Sequence, residues 1–147
     1  MIKGNIEEML FSEGVYVTTT VGVSMFPLLR NRRDNVVILP IKESLKKYDI
    51  PLYKRGNEYV LHRIIDIKDN EYIIRGDNCD NKEYGITDKD IIGVLKGVYR
   101  GNVYIDANNP SYKAYSRIVV FMHPARMFYK KTLSLLSKIK HKLFGHS

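Results

Sequence analysis

The sequence has few of the features that mark secreted, membrane-spanning or metal-binding proteins. Its 147 residues include one cysteine, Cys79, so an internal disulfide is excluded and packing must stabilise the fold, which suits a reducing compartment. Neither a CxxC nor an HExxH motif occurs and the four histidines are scattered, so no metal or other cofactor is indicated. No apolar run approaches the roughly 20 residues that cross a bilayer.

We also expect no targeting segment at the N-terminus. Residues 1–8 contain no apolar core, so they do not read as a secretory signal peptide, and we expect a cytoplasmic protein. The overall composition, 44% hydrophobic and 27% charged residues, is that of a folded domain rather than a disordered chain. A chain of this length is sufficient for one domain with its own core.

The formal net charge of +8 suggests an anionic partner. Arg30, Arg32 and Arg33 form one basic cluster, which we interpret as a solvated face. A second, larger cluster lies in the C-terminal tail. An anionic membrane surface and nucleic acid would both suit such a charge. No nucleic-acid recognition motif occurs, so nucleic acid is not the partner we expect.

Short apolar runs separated by turn residues dominate the N-terminal two thirds of the chain. Residues 3–12 predict an amphipathic helix ending at Gly14. Residues 58–67 and 71–75 flank a polar turn, a pattern typical of a β-hairpin. Pro51 cannot donate a ladder hydrogen bond, so its strand is predicted at a sheet edge. Residues 76–88 are predicted as a loop. Further strands are predicted at residues 15–21, 35–39, 49–53, 91–95, 98–99 and 103–106.

These elements indicate a mainly β fold. Because strands and helices do not alternate, the pattern favours a small, partly open antiparallel barrel or sandwich followed by a C-terminal amphipathic helix. We expect a β domain over residues 1–110 and a basic amphipathic helix within residues 111–147.

The C-terminal helix is predicted to begin at Pro124. Its apolar residues recur at helical spacing and the basic residues lie mostly elsewhere on its circumference. Three interpretations remain open: docking on the β domain, contact with an anionic membrane surface through residues 124–144, and binding of a protein partner. The shared apolar face comprises Phe128, Thr132, Leu135, Leu136, Ile139 and Leu143.

The segment Gly22-Val23-Ser24-Met25-Phe26-Pro27 is the first candidate for chemistry. It follows a strand-like run and ends in a proline, so Ser24 is predicted at a sharp corner with backbone N–H groups beside it. A serine next to glycine more often simply makes a turn. A serine hydroxyl becomes a nucleophile only when a base takes its proton.

His62 is the candidate base. It is predicted inside a strand, where a side chain is rigidly placed, although a histidine in such a place is more often structural. His123, His141 and His146 are predicted at the surface or in the tail. The orienting carboxylate is sought among the acidic residues that follow the hairpin, where Asp77 could also only build a turn. These residues are Asp77, Asp80, Glu83, Asp88 and Asp90.

Four segments in order resemble the conserved boxes of type I signal peptidases and LexA-like self-cleaving proteins. They are Ser24-Met25-Phe26-Pro27, Leu61-His62-Arg63-Ile64-Ile65, Arg75-Gly76-Asp77-Asn78 and Asp90-Ile91-Ile92-Gly93-Val94, within residues 15–105. Position 62 is histidine rather than lysine, which is similar to the endoplasmic-reticulum, archaeal and sporulation-type signal peptidases.

The resemblance implies a serine endopeptidase with Ser24 as nucleophile and His62 as general base. Such relatives place an aspartate six residues after the Gly-Asp aspartate, so Glu83 is the implied orienting carboxylate, with Asp77 supporting the loop and Asp80 as a contender. The membrane anchor of signal peptidases and the helix-turn-helix domain of the repressors have no counterpart in the sequence. The implied substrate is an extended peptide or protein segment. The alternative is a catalytically weak or inactive, protease-like binding or regulatory module that associates with a membrane surface, on its cytosolic face.

Overall fold

The computed structural model describes residues 5–145, and this part of the chain is mainly β, as predicted. Nine strands in this range form two antiparallel sheets, and helices lie at both ends of the chain. The elements are α1 (Ile6–Glu13), β1 (Tyr16–Thr19), β2 (Asp34–Leu39), β3 (Pro51–Arg55), β4 (Glu58–Leu61), β5 (Arg63–Lys68), β6 (Glu71–Arg75), β7 (Glu83–Ile86), β8 (Ile91–Arg100), β9 (Val103–Asp106), α2 (Pro110–Phe121) and α3 (His123–Phe144).

The larger sheet is a curled half-barrel. Its strands run in the order β1-β2-β8-β3-β4. Strand β9 pairs with residues 97–100 of β8. The long strand β8 therefore joins both halves of the sheet, pairing with β2 through residues 94–100 and with β3 through residues 91–94. This order leaves β1 and β4 as the two edge strands of the path.

The smaller sheet contains the predicted hairpin. Strands β5 and β6 pair with Arg63 opposite Arg75, and β7 adds to β6. The turn residues Asp69 and Asn70 both have positive φ (50° and 63°), as a two-residue hairpin turn requires. Asn and Asp tolerate this conformation better than other residues with side chains. The turn and the second strand of the predicted hairpin are confirmed. The first strand, predicted over residues 58–67, is instead interrupted at His62, and its two parts, β4 and β5, belong to different sheets.

Two buried clusters form the core, and β3 lies between them. Leu52 packs into the cluster that the half-barrel encloses, whereas its neighbour Tyr53 packs into the cluster under the smaller sheet. Successive side chains of a strand point to opposite faces, so one strand serves both clusters. Met25 and Leu29, from the segment between β1 and β2, belong to the first cluster.

Several strand predictions need correction. Strand β3 is not an edge strand, because it lies between β8 and β4; Pro51 is its first residue, a position where proline is tolerated. The predicted loop 76–88 contains β7. Its four residues include a glutamate and a glycine, so they carry no clear strand signal. The first strand ends at Thr19 rather than at residue 21.

The C-terminal region differs more from the prediction, because a further helix precedes Pro124. In α2, Asn109 caps the N-terminus by accepting the Ser111 N–H at 2.9 Å, with Pro110 at the first turn. Tyr112 of this helix packs into the main core. The predicted helix α1 and its stop at Gly14, in the left-handed conformation, are confirmed. Within residues 5–145, no helix is both long and apolar enough to traverse a bilayer.

Candidate functional site

Ser24 lies in the turn segment between β1 and β2, and its neighbours fix its position. Met25 and Leu29 are buried in the core, so the residue after Ser24 anchors the segment to the domain. Gly22 has φ of 99°, a conformation that favours glycine, and its N–H donates to Asn31 Oδ1 at 2.9 Å. The sequence prediction of a sharp corner at Ser24 therefore has a physical basis in one glycine and one buried methionine.

Asn78 holds the Ser24 segment against the loop that follows β6. Its backbone N–H donates to the Ser24 carbonyl oxygen at 2.7 Å, and its side-chain amide donates to the Val23 carbonyl oxygen at 3.0 Å. The amide oxygen of Asn78 in turn accepts from Arg126, at 3.3 Å, and from Lys130, both on α3. The C-terminal helix therefore contacts the loop that positions the candidate nucleophile.

His62 lies at the junction of β4 and β5, where the chain passes from one sheet to the other. The side chain is buried, and its Nδ1 atom lies 2.8 Å from Glu83 Oε1 at the start of β7. Tyr53 OH donates to the same carboxylate oxygen at 2.8 Å and lies 3.1 Å from Nδ1. Arg55 pairs with Glu83 at 3.3 Å. The imidazole is thus held on one side by a carboxylate that is itself fixed.

This network assigns the tautomer of His62. A carboxylate oxygen only accepts, so the short Nδ1 to Glu83 contact places the ring proton on Nδ1 and leaves Nε2 with its lone pair. Burial lowers the pKa of His62 below its ordinary value, while the hydrogen bond to Glu83 acts in the opposite direction without cancelling the effect of burial. The imidazole is therefore neutral and able to accept a proton at neutral pH.

Nε2 faces Gly76 and the Ser24 backbone. A methyl carbon added at Gly76 would lie 3.1 Å from His62 Nε2 and 2.7 Å from the Ser24 carbonyl oxygen. Glycine at this position therefore adds no side chain to a space that Cys79 Sγ also borders, 2.8 Å from the same point. Among residues 5–145, neither Ser24 Oγ nor Nε2 makes a hydrogen bond, so both polar atoms are available to a bound molecule.

Ser24 and His62 both line one groove, which has a volume of about 670 Å³. Its walls include β1 and β4, the two end strands of the path β1-β2-β8-β3-β4, because the sheet curls until both line the same cavity. Cys79 also lines it, and burial raises the pKa of this thiol, so the thiol stays protonated at neutral pH. Thr18, Thr19 and residues 58–61 provide the edge-strand walls.

Asp77 does not contact His62. Its carboxylate instead receives two hydrogen bonds from Arg63, Nε to Oδ1 at 2.8 Å and Nη2 to Oδ2 at 2.7 Å, with both side chains almost entirely buried. Arg63 Nη1 also donates to Ser116 Oγ of α2 at 2.7 Å. Burial alone would lower the pKa of Arg63, but the Asp77 carboxylate more than offsets this and the pKa is raised. Asp77 thus ties the loop after β6 to β5 and α2.

We expect Asp77→Asn to lower the free energy of unfolding by about 3–5 kcal/mol, because it leaves the buried Arg63 charge without its partner. Urea unfolding followed by circular dichroism measures the difference. Asp80→Asn is the matched control, since Asp80 lies in the same loop but pairs with Lys131 at the surface. A loss no larger than that of Asp80→Asn would contradict a structural role for the Arg63–Asp77 pair.

The other sequence candidates lie away from the imidazole. Asp80 pairs with Lys131 at 3.0 Å, and Asp88 accepts a hydrogen bond from Tyr72. Asp90 accepts the Thr87 N–H.

The remaining histidines are separate from the groove. The prediction that His123 lies at the surface is wrong: it is buried, with Nε2 bonded to the Cys79 carbonyl oxygen at 2.6 Å. Burial lowers the pKa of His123. His141 is exposed, and His146 lies outside the described residues. Arg30, predicted in a solvated cluster, pairs with the buried Asp34 at 2.8 Å.

Sequence reasoning missed Tyr53, Arg55 and Asn78. Tyr53 and Arg55 reach Glu83 only because β3 pairs with β4 and the chain turns back through β7, a long-range arrangement without a local signal. Asn78 had a usable signal, since it follows Asp77 within the recognised segment. Within residues 5–145, no cluster of His, Cys, Asp and Glu side chains could hold a metal ion. No protein-family model and no curated protein matches the chain.

Proposed function

We propose that the protein is a serine endopeptidase of the signal peptidase and LexA-like type, with Ser24 as nucleophile and His62 as general base. One observation carries the proposal. Glu83 binds Nδ1 of a buried imidazole at 2.8 Å, while Nε2 faces the Ser24 segment across Gly76. In peptide hydrolysis by a serine nucleophile, a carboxylate orients the imidazole through one ring nitrogen and the serine lies beyond the other. The positions of Glu83, His62 and the Ser24 segment fit this arrangement.

The reaction follows from these positions. Ser24 Oγ attacks the scissile carbonyl carbon as His62 Nε2 takes the hydroxyl proton, and Glu83 stabilises the imidazolium that forms. The proton then passes to the leaving nitrogen, the C–N bond breaks, and an ester to Ser24 remains. Water attacks this ester while His62 takes its proton, and return of that proton to Ser24 releases the carboxylic acid.

A developing oxyanion needs donors that are free in the resting protein. Within the described residues the Ser24 backbone N–H meets no acceptor, so it can donate to the tetrahedral intermediate. Gly22 stands where some relatives carry a second hydroxyl donor, so backbone groups supply this stabilisation here.

The substrate is an extended peptide segment. Within residues 5–145, β1 and β4 each pair with a single strand, which leaves one edge of each along the groove walls. A peptide can pair with such an edge while its scissile bond lies over Ser24. The groove lining around the site is mostly apolar, and the resemblance adds a preference for small residues near the cut.

The test is cleavage of leader-like extended peptides by the purified full-length protein, followed by mass spectrometry. Wild type is compared with Ser24→Ala and His62→Ala. Cleavage of the same bond at the same rate by all three proteins would end the proposal. Cleavage by wild type only would support it.

A second candidate function is an inactive, protease-like binding module. The absence of a hydrogen bond between Ser24 Oγ and His62 Nε2, within the described residues, is the observation that favours it. Catalytic hydrogen bonds are often longer before substrate binds, so this observation does not outweigh the Glu83–His62 contact. Peptide binding in the groove with no cleavage at any pH would support the second candidate.

We expect kcat/KM to rise with pH to a plateau, with a midpoint below the ordinary histidine pKa of about 6.5. Burial lowers the pKa of His62, and the base works only when neutral, so activity is present above this lowered pKa and is lost as pH falls through it. Initial rates across mildly acidic to neutral pH give the midpoint, with circular dichroism at each pH to verify folding. A midpoint above 6.5 would contradict the assignment of His62.

A further inference from the structure

The net charge of the protein comes entirely from its C-terminal part. Residues 1–106 contain all 16 acidic residues and 16 of the 24 lysines and arginines, so this part has no formal net charge. Residues 107–147 contain the other eight lysines and arginines and no acidic residue. The whole net charge of +8 therefore belongs to the segment that forms α2 and α3.

One face of α3 binds the β domain. His123 and Met127 are buried, Lys130 binds Asn78 and Lys131 binds Asp80. These residues are spaced three or four apart and so share one side of the helix. Beyond Met127, every residue from 128 to 144 is exposed, so the rest of the helix extends past the domain that holds its first turns.

The apolar face of α3 is turned away from the domain. Its members recur at positions three and four apart and lie across the helix from His123 and Met127. They are large side chains with between 46% and 74% of their surface exposed, far more than a helix packed on its own domain would leave. The large side chains of the apolar face are Phe128, Leu135, Leu136, Ile139 and Leu143, and the smaller Thr132 lies among them.

Lysines border this face. By helical position, Lys142 lies along one margin, with Lys138 further round, and Lys140 lies along the other, where the exposed Tyr129, Leu133 and Phe144 continue the apolar surface. None of the three lysines forms an ion pair within residues 5–145. Their chains can extend toward an anionic plane while the apolar face enters an acyl layer.

We propose that α3 docks on an anionic lipid bilayer, with the apolar face in the interface and the lysines on lipid headgroups. Charge complementarity selects this occupant. A second copy of the chain would bring two segments of the same +8 charge together, whereas anionic lipid neutralises them. A helix with apolar and lysine-bordered faces of this kind lies in the plane of the interface rather than crossing it.

Docking in this way keeps the groove near the lipid surface. Arg126, in the first turn of α3, donates to the Phe26 carbonyl oxygen at 3.2 Å, beside Ser24. If the proposed function holds, the peptidase therefore acts on segments close to a membrane surface. The lipid contact itself does not depend on catalysis, because none of the apolar-face residues lines the groove that contains Ser24 and His62.

Flotation of the full-length protein with vesicles tests the inference. Phosphatidylcholine vesicles are compared with vesicles of phosphatidylcholine and phosphatidylglycerol, at low and at high salt. We expect binding to the anionic vesicles at low salt and loss of binding at high salt. Equal binding to both vesicle types, or none to either, would overturn the proposal. Ser24→Ala must bind as wild type does, so failure of lipid binding and failure of catalysis are separate results.

Two matched variants test the face. Leu136→Glu and Ser137→Glu add the same charge to adjacent exposed positions, but only Leu136 lies on the apolar face. We expect Leu136→Glu to weaken binding at least about tenfold more than Ser137→Glu. Equal losses would overturn the assignment of the face. A dimer in sedimentation equilibrium that Leu136→Glu dissociates, without vesicle binding by wild type, would instead assign the face to a second copy.

The lysines give an independent measure. Replacing Lys138, Lys140 and Lys142 together by glutamine is expected to weaken binding to anionic vesicles by on the order of 100-fold. An unchanged affinity would contradict the electrostatic part of the proposal. Circular dichroism and thermal unfolding of each variant verify that the exposed substitutions leave the fold intact.

Discussion

Ser24→Ala is expected to lower the rate of peptide cleavage by about 10⁴- to 10⁶-fold, and His62→Ala by a similar factor. In the proposed mechanism Ser24 supplies the oxygen that forms the acyl-enzyme, and His62, whose Nε2 lies near the Ser24 backbone across Gly76, supplies the base. The double variant is expected to be no slower than either single variant. The two residues act as one unit, so removal of either one already abolishes the function of the other.

Single-turnover measurements at high enzyme concentration are needed to quantify such slow rates. Ser44→Ala and His141→Ala are the matched controls, since both residues are exposed and neither lines the groove. Both controls should cleave at the wild-type rate. Losses that multiply in the double variant would indicate that Ser24 and His62 act separately, and would contradict the proposed dyad.

Glu83→Gln is expected to lower kcat/KM by on the order of 10²- to 10⁴-fold. A glutamine amide can donate to Nδ1, which would move the ring proton to Nε2 and block the nitrogen that faces Ser24. Glu83 also raises the pKa of His62 against the larger effect of burial. The residual activity of the variant should therefore have its acidic midpoint at a lower pH than that of wild type.

Glu58→Gln is the control for Glu83→Gln. Glu58 also pairs with Arg55, at 3.2 Å, but does not contact the imidazole. Because Glu58 also lines the groove, the control concerns kcat and the pH midpoint rather than KM, and we expect both to equal those of wild type. A pH midpoint that does not move in Glu83→Gln would contradict a positioning role through Nδ1, even if the rate falls.

Local sequence signals predicted the elements that depend on local chemistry. The hairpin was predicted because two β-rich runs flank a polar turn, and the structure adds that Asp69 and Asn70 in this turn have positive φ. The stop of α1 at Gly14 was also predicted from a local signal. The Asn109-Pro110 pair carried an equally good start signal for α2, and the prediction overlooked it.

Long-range pairing decided what local signals could not. Strand β7 is short and half-exposed, and it forms because the edge of β6 accepts it. Strand β3 lies in the sheet interior despite Pro51, because the proline is at its first residue, where a ladder hydrogen bond can be spared.

By itself the sequence determined which functional groups are present. They are a serine at a turn that begins with glycine, a histidine among strand residues, nearby carboxylates and a cationic amphipathic C-terminal segment. Only the tertiary structure decided which carboxylate meets the imidazole. Asp77, adjacent in sequence to Gly76, is held by the buried Arg63, whereas Glu83 reaches Nδ1 because β7 folds back beside β6. Sequence fixes which groups are available, but hydrogen bonds need atoms within about 3 Å, and strand register sets those distances.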